Sequence, residues 1–185
     1  MKKLFLLFSA VFLAFFAAPC LAEVSAVPAL VSDADPAGTN LRSAPSGEVL
    51  GVLPFSTGLR IVRVLESKKG WFRVQPFPIE EYEIEGASTV PAEGWMHGSV
   101  LALCACASED GDPWLYVSPS WNADSDIKVP GGTPLRPLER KGEWLKGRTS
   151  QSGKSIDRWV NEQMVCASVN DLIECQARIV KSWKK

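Results

Sequence analysis

From residue 37 onward, hydrophobic positions come in short runs of four to eight residues, each closed by turn formers. Leu59 to Leu65, "LRIVRVL", is the clearest: Leu59, Ile61 and Val64 are apolar, and Arg60 and Arg63 are available to water. Val49 to Pro54, Trp71 to Val74 ("WFRV") and Gly94 to Leu103 ("GWMHGSVLAL") read as further strands. In "TNLRSAPS", Thr39 to Ser46, Leu41 is expected in the core, Arg42 facing outward, and Pro45-Ser46 turning the chain. No helical period is found between residues 37 and 103. Gln75 to Glu93, with Glu80, Glu81, Glu83, Glu85 and Glu93, reads as a solvated hairpin or loop insertion.

The second half repeats this order. "WLYVSPS" (Trp114 to Ser120) aligns with "NLRSAPS", and "VPGGTPLRPLER" (Val129 to Arg140) with "LPFSTGLRIVRV" (Leu53 to Val64). The latter matches Pro130 with Pro54, Thr133 with Thr57, and Leu135-Arg136 with Leu59-Arg60. "EWLKG" then aligns with "GWFRV" (Trp144 with Trp71), and "RWVNEQMV" with "GWMHGSVL" (Trp159 with Trp95). Four blocks in one order make an internal repeat of two copies. The tail is different. Ser168 stands three residues before Asp171, and Leu172, Ile179 and Trp183 follow at near-helical spacing, so a C-terminal helix is predicted over 169–182.

The N-terminus carries Lys2 and Lys3, an apolar run from Leu4 to Ala18, and small residues before Glu23, the pattern of a secretory signal peptide over 1–22 cleaved after Ala22. Pro19 does not suit the small residue that a lipoprotein signal needs before a modified Cys20. A periplasmic or secreted location follows, with no membrane association after cleavage. Losing Lys2 and Lys3 from the 20 basic residues leaves 18 against 21 acidic ones, a net charge of -3. Neither half has the basic excess of a nucleic-acid binder.

Cleavage leaves Cys104, Cys106, Cys166 and Cys175. An even count in an exported chain indicates disulfides, and four cysteines allow three pairings. On a strand, Cys104 and Cys106 would have Cα atoms about 7 Å apart, near the upper limit for a bridge. Each should therefore pair with Cys166 or Cys175, tying the middle of the chain to its end. The spacings lack the knuckle of a structural zinc site, so no metal is expected.

The order N-L-R-x-x-P-S, a leucine-bearing turn with Thr57, Gly70-Trp71, and Gly94-Trp95 with His97, Ser99 and Leu101 resembles bacterial Src-homology-3-like domains. The resemblance covers 33–103 well and 112–166 more loosely, where Tyr116 replaces Arg42 and Asn161 replaces His97. It implies an all-β chain of two tandem SH3-like barrels, 23–105 and 106–168, with the short helix read from the tail taking the remaining segment, 169–185. It also implies a non-catalytic module that binds cell-wall peptide or an envelope protein.

His97, the single histidine, matches a structural position at the start of the last strand. No catalytic residue, cofactor or metal is expected. Seven tryptophans are many for this length. Trp71, Trp95, Trp144 and Trp159 occupy repeated positions suited to packing. Trp114, Tyr116 and Trp121 surround the second turn motif without counterparts in the first copy. With Arg42 and Trp71, they are the candidate ligand-binding residues.

Overall fold

The computed structural model describes residues 25–55, 59–77, 90–108 and 111–182. The predicted signal peptide, the glutamates of the insertion at 80–85, and Trp183 lie outside them. The described chain is all-β with one α-helix at its C-terminal end. The strands are β1 (Val27–Val31), β2 (Thr39–Arg42), β3 (Val49–Leu53), β4 (Ile61–Lys68), β5 (Trp71–Pro76), β6 (Gly94–His97), β7 (Leu101–Ala105), β8 (Trp114–Tyr116), β9 (Ser125–Lys128), β10 (Thr133–Lys141), β11 (Trp144–Gln151) and β12 (Lys154–Asn161).

Hydrogen bonds join all twelve in one order, β3-β2-β6-β5-β4-β1-β7-β10-β11-β12-β8-β9. The chain is thus one continuous ladder, where two separate barrels were expected. The reason is β7. It pairs with β1 through Leu30↔Ala102 and with β10 through Pro134↔Cys104, so the end of the first copy is shared with the second. All five residues of β7 are buried. Leu101, Leu103 and Ala105 enter the main core. Ala102 and Cys104 face a second cluster with Leu30, Ile61, Leu172, Cys175 and Ile179. A strand covered on both faces reads as a continuous apolar run, which "LALCA" is.

The internal repeat is visible in the pairing. The order β3-β2-β6-β5-β4 recurs as β9-β8-β12-β11-β10. Arg42 pairs with Trp95 as Tyr116 pairs with Trp159. Trp71 pairs with His97 as Trp144 pairs with Asn161. The second aligned block slips, however. Lys68↔Trp71 matches Lys141↔Trp144, which places Arg136 on Arg63 and Leu135 on Val62. The first copy therefore has three more residues between its β3 and β4, and the Leu59-Arg60 match to Leu135-Arg136 is corrected to this register.

Leu41 is fully buried, as its pattern requires. Arg60 is the exception to alternation: it is only 5 % exposed. Its guanidinium donates to Thr39 Oγ1 at 3.3 Å and to the carbonyl of Asp33, satisfying backbone that has left β1. Burial lowers its pKa, and the Asp33 charge opposes this. Alternation fails at Arg60 because Asp33 and Thr39 close over it, while Arg63 of the same run stays exposed as expected. Glu93, expected in a solvated loop, is held by Arg73 at 2.6 Å.

The predicted strand over 94–103 is interrupted by a 3₁₀ turn at Gly98–Val100. The α-helix α1 spans Val169–Ser182, and Ser168 Oγ accepts from Asp171 N at 3.2 Å. Its packed face is Leu172, Cys175 and Ile179. Two disulfides fix it to the sheet: Cys104–Cys175, with Cα atoms 6.1 Å apart, and Cys106–Cys166, at 4.9 Å. Both bonds join the middle of the chain to its end, and neither joins Cys104 to Cys106.

A second clasp joins the halves. Arg140 of β10, almost without exposure, pairs with Glu162 at 3.0 Å and donates to the carbonyls of Val64 and Ser25. Burial lowers its pKa against the pull of Glu162.

Two outcomes are expected. Replacing both Cys104 and Cys175 by Ala should cost about 2–4 kcal/mol in urea unfolding, and non-reducing peptide mapping of the wild type should find 104–175 and 106–166. Gly98 sits where the halves touch. A Cβ there would lie 2.9 Å from Phe72 Cε2 and closer still to the Pro137 carbonyl oxygen. Gly98→Ala should cost about 1–3 kcal/mol by overpacking, read as a lower urea midpoint with an unchanged slope.

Candidate functional site

The second copy gathers an aromatic cluster on one face of β8, β11 and β12. Tyr116 of β8 stands opposite Trp159 of β12, and Trp144 opens β11. These three rings are buried together, with Ala123 and Met164 packed on them. Trp121 comes from the loop between β8 and β9. That loop is turned by Ala123 N donating to Ser120 O at 3.1 Å and Val117 N to Asp124 O at 3.0 Å, and the turn carries the Trp121 ring back over the sheet. Its centroid lies 5.0 Å from that of Trp144, at 64°, and 5.8 Å from that of Tyr116, at 86°. Tyr116 and Trp144 are 5.2 Å apart, at 81°. All three contacts are edge-to-face, the arrangement the ring quadrupole favours. Trp121 remains 49 % exposed, so the cluster presents an open aromatic surface.

Two sequence candidates, Tyr116 and Trp121, therefore meet, and Trp144 joins them. Trp114 does not. It is 41 % exposed and stands on the β8–β9 hairpin opposite Lys128, whose Nζ lies 5.7 Å from the ring centroid. Sequence reasoning had assigned Trp144 to packing through its repetition; its contact with Trp121 depends on a loop fold that no local pattern encodes. Lys146 was also missed. It lies two residues after Trp144 on β11, with its Nζ 6.0 Å over Trp159.

In the first copy the same positions hold different chemistry. Arg42 lies 6.0 Å over Trp71 and donates to Gly47 O at 2.8 Å. Trp71 packs edge-on against His97 at 5.2 Å. His97 Nδ1 accepts from Ser99 N at 3.3 Å and caps the first 3₁₀ turn. Asn161 does the same in the second copy, its Oδ1 accepting from Gln163 N at 3.0 Å. The His/Asn exchange thus preserves one acceptor at one capping position. Asn161 is fully buried, and among the described residues its Nδ2 has no hydrogen-bond partner.

All four described cysteines are oxidised, so none is a thiolate for nucleophilic chemistry with His97. Cys106, Cys166 and Asp171 bring ligand atoms within 4.8 Å of one another, but both sulfurs are spent in the disulfide. The two disulfides favour an oxidising compartment. Among the described residues no helix is long and apolar enough to cross a membrane.

No family model matches the chain, and no curated protein does. Among solved structures it is similar to NlpC1 from Trichomonas vaginalis, with 10% identity over 80% of this chain and 48% of that one, at a TM-score of 0.29. It is also similar to NlpC2 from the same organism, with 12% identity over 78% and 49%, at 0.28. The chain spans about half the length of these two structures. At such TM-scores they carry no argument, and the functional reading rests on this chain's own residues.

On the same face of β11, Arg148 holds Asp157 through two bonds, Nε to Oδ1 at 2.7 Å and Nη2 to Oδ2 at 2.9 Å. The Arg148 hydrogen bond is the main cause that lowers the Asp157 pKa. A carboxylate with a depressed folded pKa stabilises above its unfolded pKa, and that contribution is lost as pH falls through the folded value. The pair should therefore persist from pH 7 to pH 5. An NMR titration should place the Asp157 carboxyl midpoint below the ordinary carboxylate range, and Arg148→Gln should move it back up.

Proposed function

We propose that the chain is an exported, non-catalytic binding module made of two copies of a bacterial SH3-like unit, recognising cell-wall peptide through the aromatic face of the second copy. The recurrence of one five-strand order with matching register supports the two-unit reading. The Tyr116–Trp121–Trp144 cluster carries the binding reading. Rings fixed edge-to-face lose little conformational freedom on binding, and the exposed Trp121 against them suits the apolar faces of a peptide or sugar. The first copy lacks a counterpart of Trp121 and places Arg42 where Tyr116 stands, so the scaffold repeats and the binding surface does not.

A second reading, a protein-interaction component of an envelope complex without wall affinity, is favoured by the sheet edges. β3 ends the sheet on one side, with Val49, Leu50 and Val52 exposed. β9, its counterpart at the other end, is "SDIK". Charge blunts an edge against pairing, whereas an apolar edge is a template for an added strand.

Sedimentation with purified peptidoglycan separates the two readings. The mature chain should be retained, and Trp121→Ala should weaken retention about tenfold, on the order of the 1–2 kcal/mol expected for an aromatic anchor. Wild type that stays in the supernatant would favour the envelope-complex reading.

A further inference from the structure

We propose that the Cys106–Cys166 bond is an exchangeable disulfide and that its reduced form, with the Asp171 carboxylate, binds a thiophilic divalent cation such as zinc. The two disulfides lie in different surroundings. Cys104 and Cys175 are both without exposure, inside the apolar cluster of Leu30, Ile61, Leu172 and Ile179. A thiolate is the attacking species in exchange, and an anion does not enter such a cluster unpaired. Cys106 is only half-buried. It lines a cleft of about 380 Å³ beside α1, together with Asp112, Gly132, Asp171, Glu174 and Arg178, among others. Cys166 is 1 % exposed, so attack falls on Cys106.

Opening this bond leaves its two ends in place. Ala105 and Val165 form a β-bridge. Cys106 N donates to Met164 O and Cys166 N to Cys104 O, each at 2.8 Å. The backbone therefore holds the two sulfurs side by side without the covalent bond. Cys104–Cys175 keeps α1 on the sheet, so Asp171 of the helix's first turn stays beside them.

The three groups suit a cation of one class. Their ligand atoms lie within 4.8 Å of one another. Around a tetrahedral zinc, with bonds of about 2.0–2.3 Å, ligand atoms stand roughly 3.5 Å apart. Small side-chain rotations reach that spacing once the sulfurs part. Two thiolates and one carboxylate select zinc over magnesium or calcium. The charged lining of the cleft, Asp112, Asp171 and Glu174 against Arg178, also favours a cation. The two cysteines are 60 residues apart in sequence, so no local spacing shows the set.

The exchange balances with a dithiol as the reductant. One thiolate of the dithiol attacks Cys106 Sγ, the bond to Cys166 breaks, and its electron pair leaves on Cys166 Sγ. The second thiol then displaces Cys106. The dithiol loses two electrons and two protons and becomes a disulfide, and Cys106 and Cys166 gain them. Zinc then takes the place of the two thiol protons, which are released. The site shares no residue with the Tyr116–Trp121–Trp144 cluster, so it stands or fails apart from wall binding.

Limited reduction of the mature chain with dithiothreitol, then acid quenching, alkylation in denaturant and peptide mapping, gives the order of opening. Cys106 and Cys166 should be modified at a dithiothreitol concentration that leaves Cys104–Cys175 closed, with circular dichroism unchanged. Cobalt(II), added after anaerobic desalting, serves as the optical probe. The reduced chain should bind one equivalent, with a thiolate-to-cobalt absorption band in the near ultraviolet, and zinc should displace it. Asp171→Asn should weaken cobalt binding at least tenfold without changing which disulfide opens. Earlier or simultaneous opening of Cys104–Cys175, no cobalt–thiolate band, or an unchanged cobalt affinity in Asp171→Asn would overturn the proposal.

Discussion

Among the described residues the two copies and the C-terminal helix meet at Leu101–Ala105. That strand closes the first copy against β1, opens the second against β10, and carries the sulfur that anchors α1. Neither face meets water, and its two sides enter different apolar clusters. A small unit of about 60 residues buries too little surface to be more than marginally stable alone. Sharing a strand, adding a helix over its outer face and stapling both with disulfides gives two such units a common core. The Arg140 clasp, with bonds to Glu162, Val64 and Ser25, works at the same junction.

On that shared frame the copies have diverged at the surface and not in the pairing. Where the first copy has Arg42 and His97 about Trp71, the second has Tyr116 and Asn161 about Trp144, with Trp121 added by a loop. Where the first has Arg63 opposite Gln75, the second has Arg136 opposite Arg148. Register is preserved because a one-residue slip would turn every side chain to the wrong face. Outward positions are released from that constraint. Trp144, Lys146 and Arg148 accordingly share one face of β11.

Much of this was legible from residues because local physics set it. The helix begins at Val169, where its capping serine places it, and runs through the described residues to Ser182. Leu41 is in the core, and the i, i+2 spacing correctly kept Cys104 and Cys106 apart. What escaped is what depends on partners distant in sequence. Arg60 looked solvent-facing because alternation cannot foresee that Asp33 and Thr39, some twenty to thirty residues earlier, close over its guanidinium. The three-residue slip at the second block was hidden by a coincidental Leu-Arg match. One ladder in place of two barrels follows from β7 pairing on both edges, which its apolar sequence permits but does not announce. Of the site, Tyr116 and Trp121 were readable as unrepeated aromatics. The separation of Trp114 required the tertiary structure.

The claim that recognition resides in the second copy is tested most directly by the tryptophan indole N–H signals in a titration of the labelled chain with soluble peptidoglycan fragments. The account predicts saturable shifts at Trp121 and Trp144, with Trp71 and Trp95 unmoved. Shifts centred on Trp71 and Trp95, or none at any tryptophan, would contradict it.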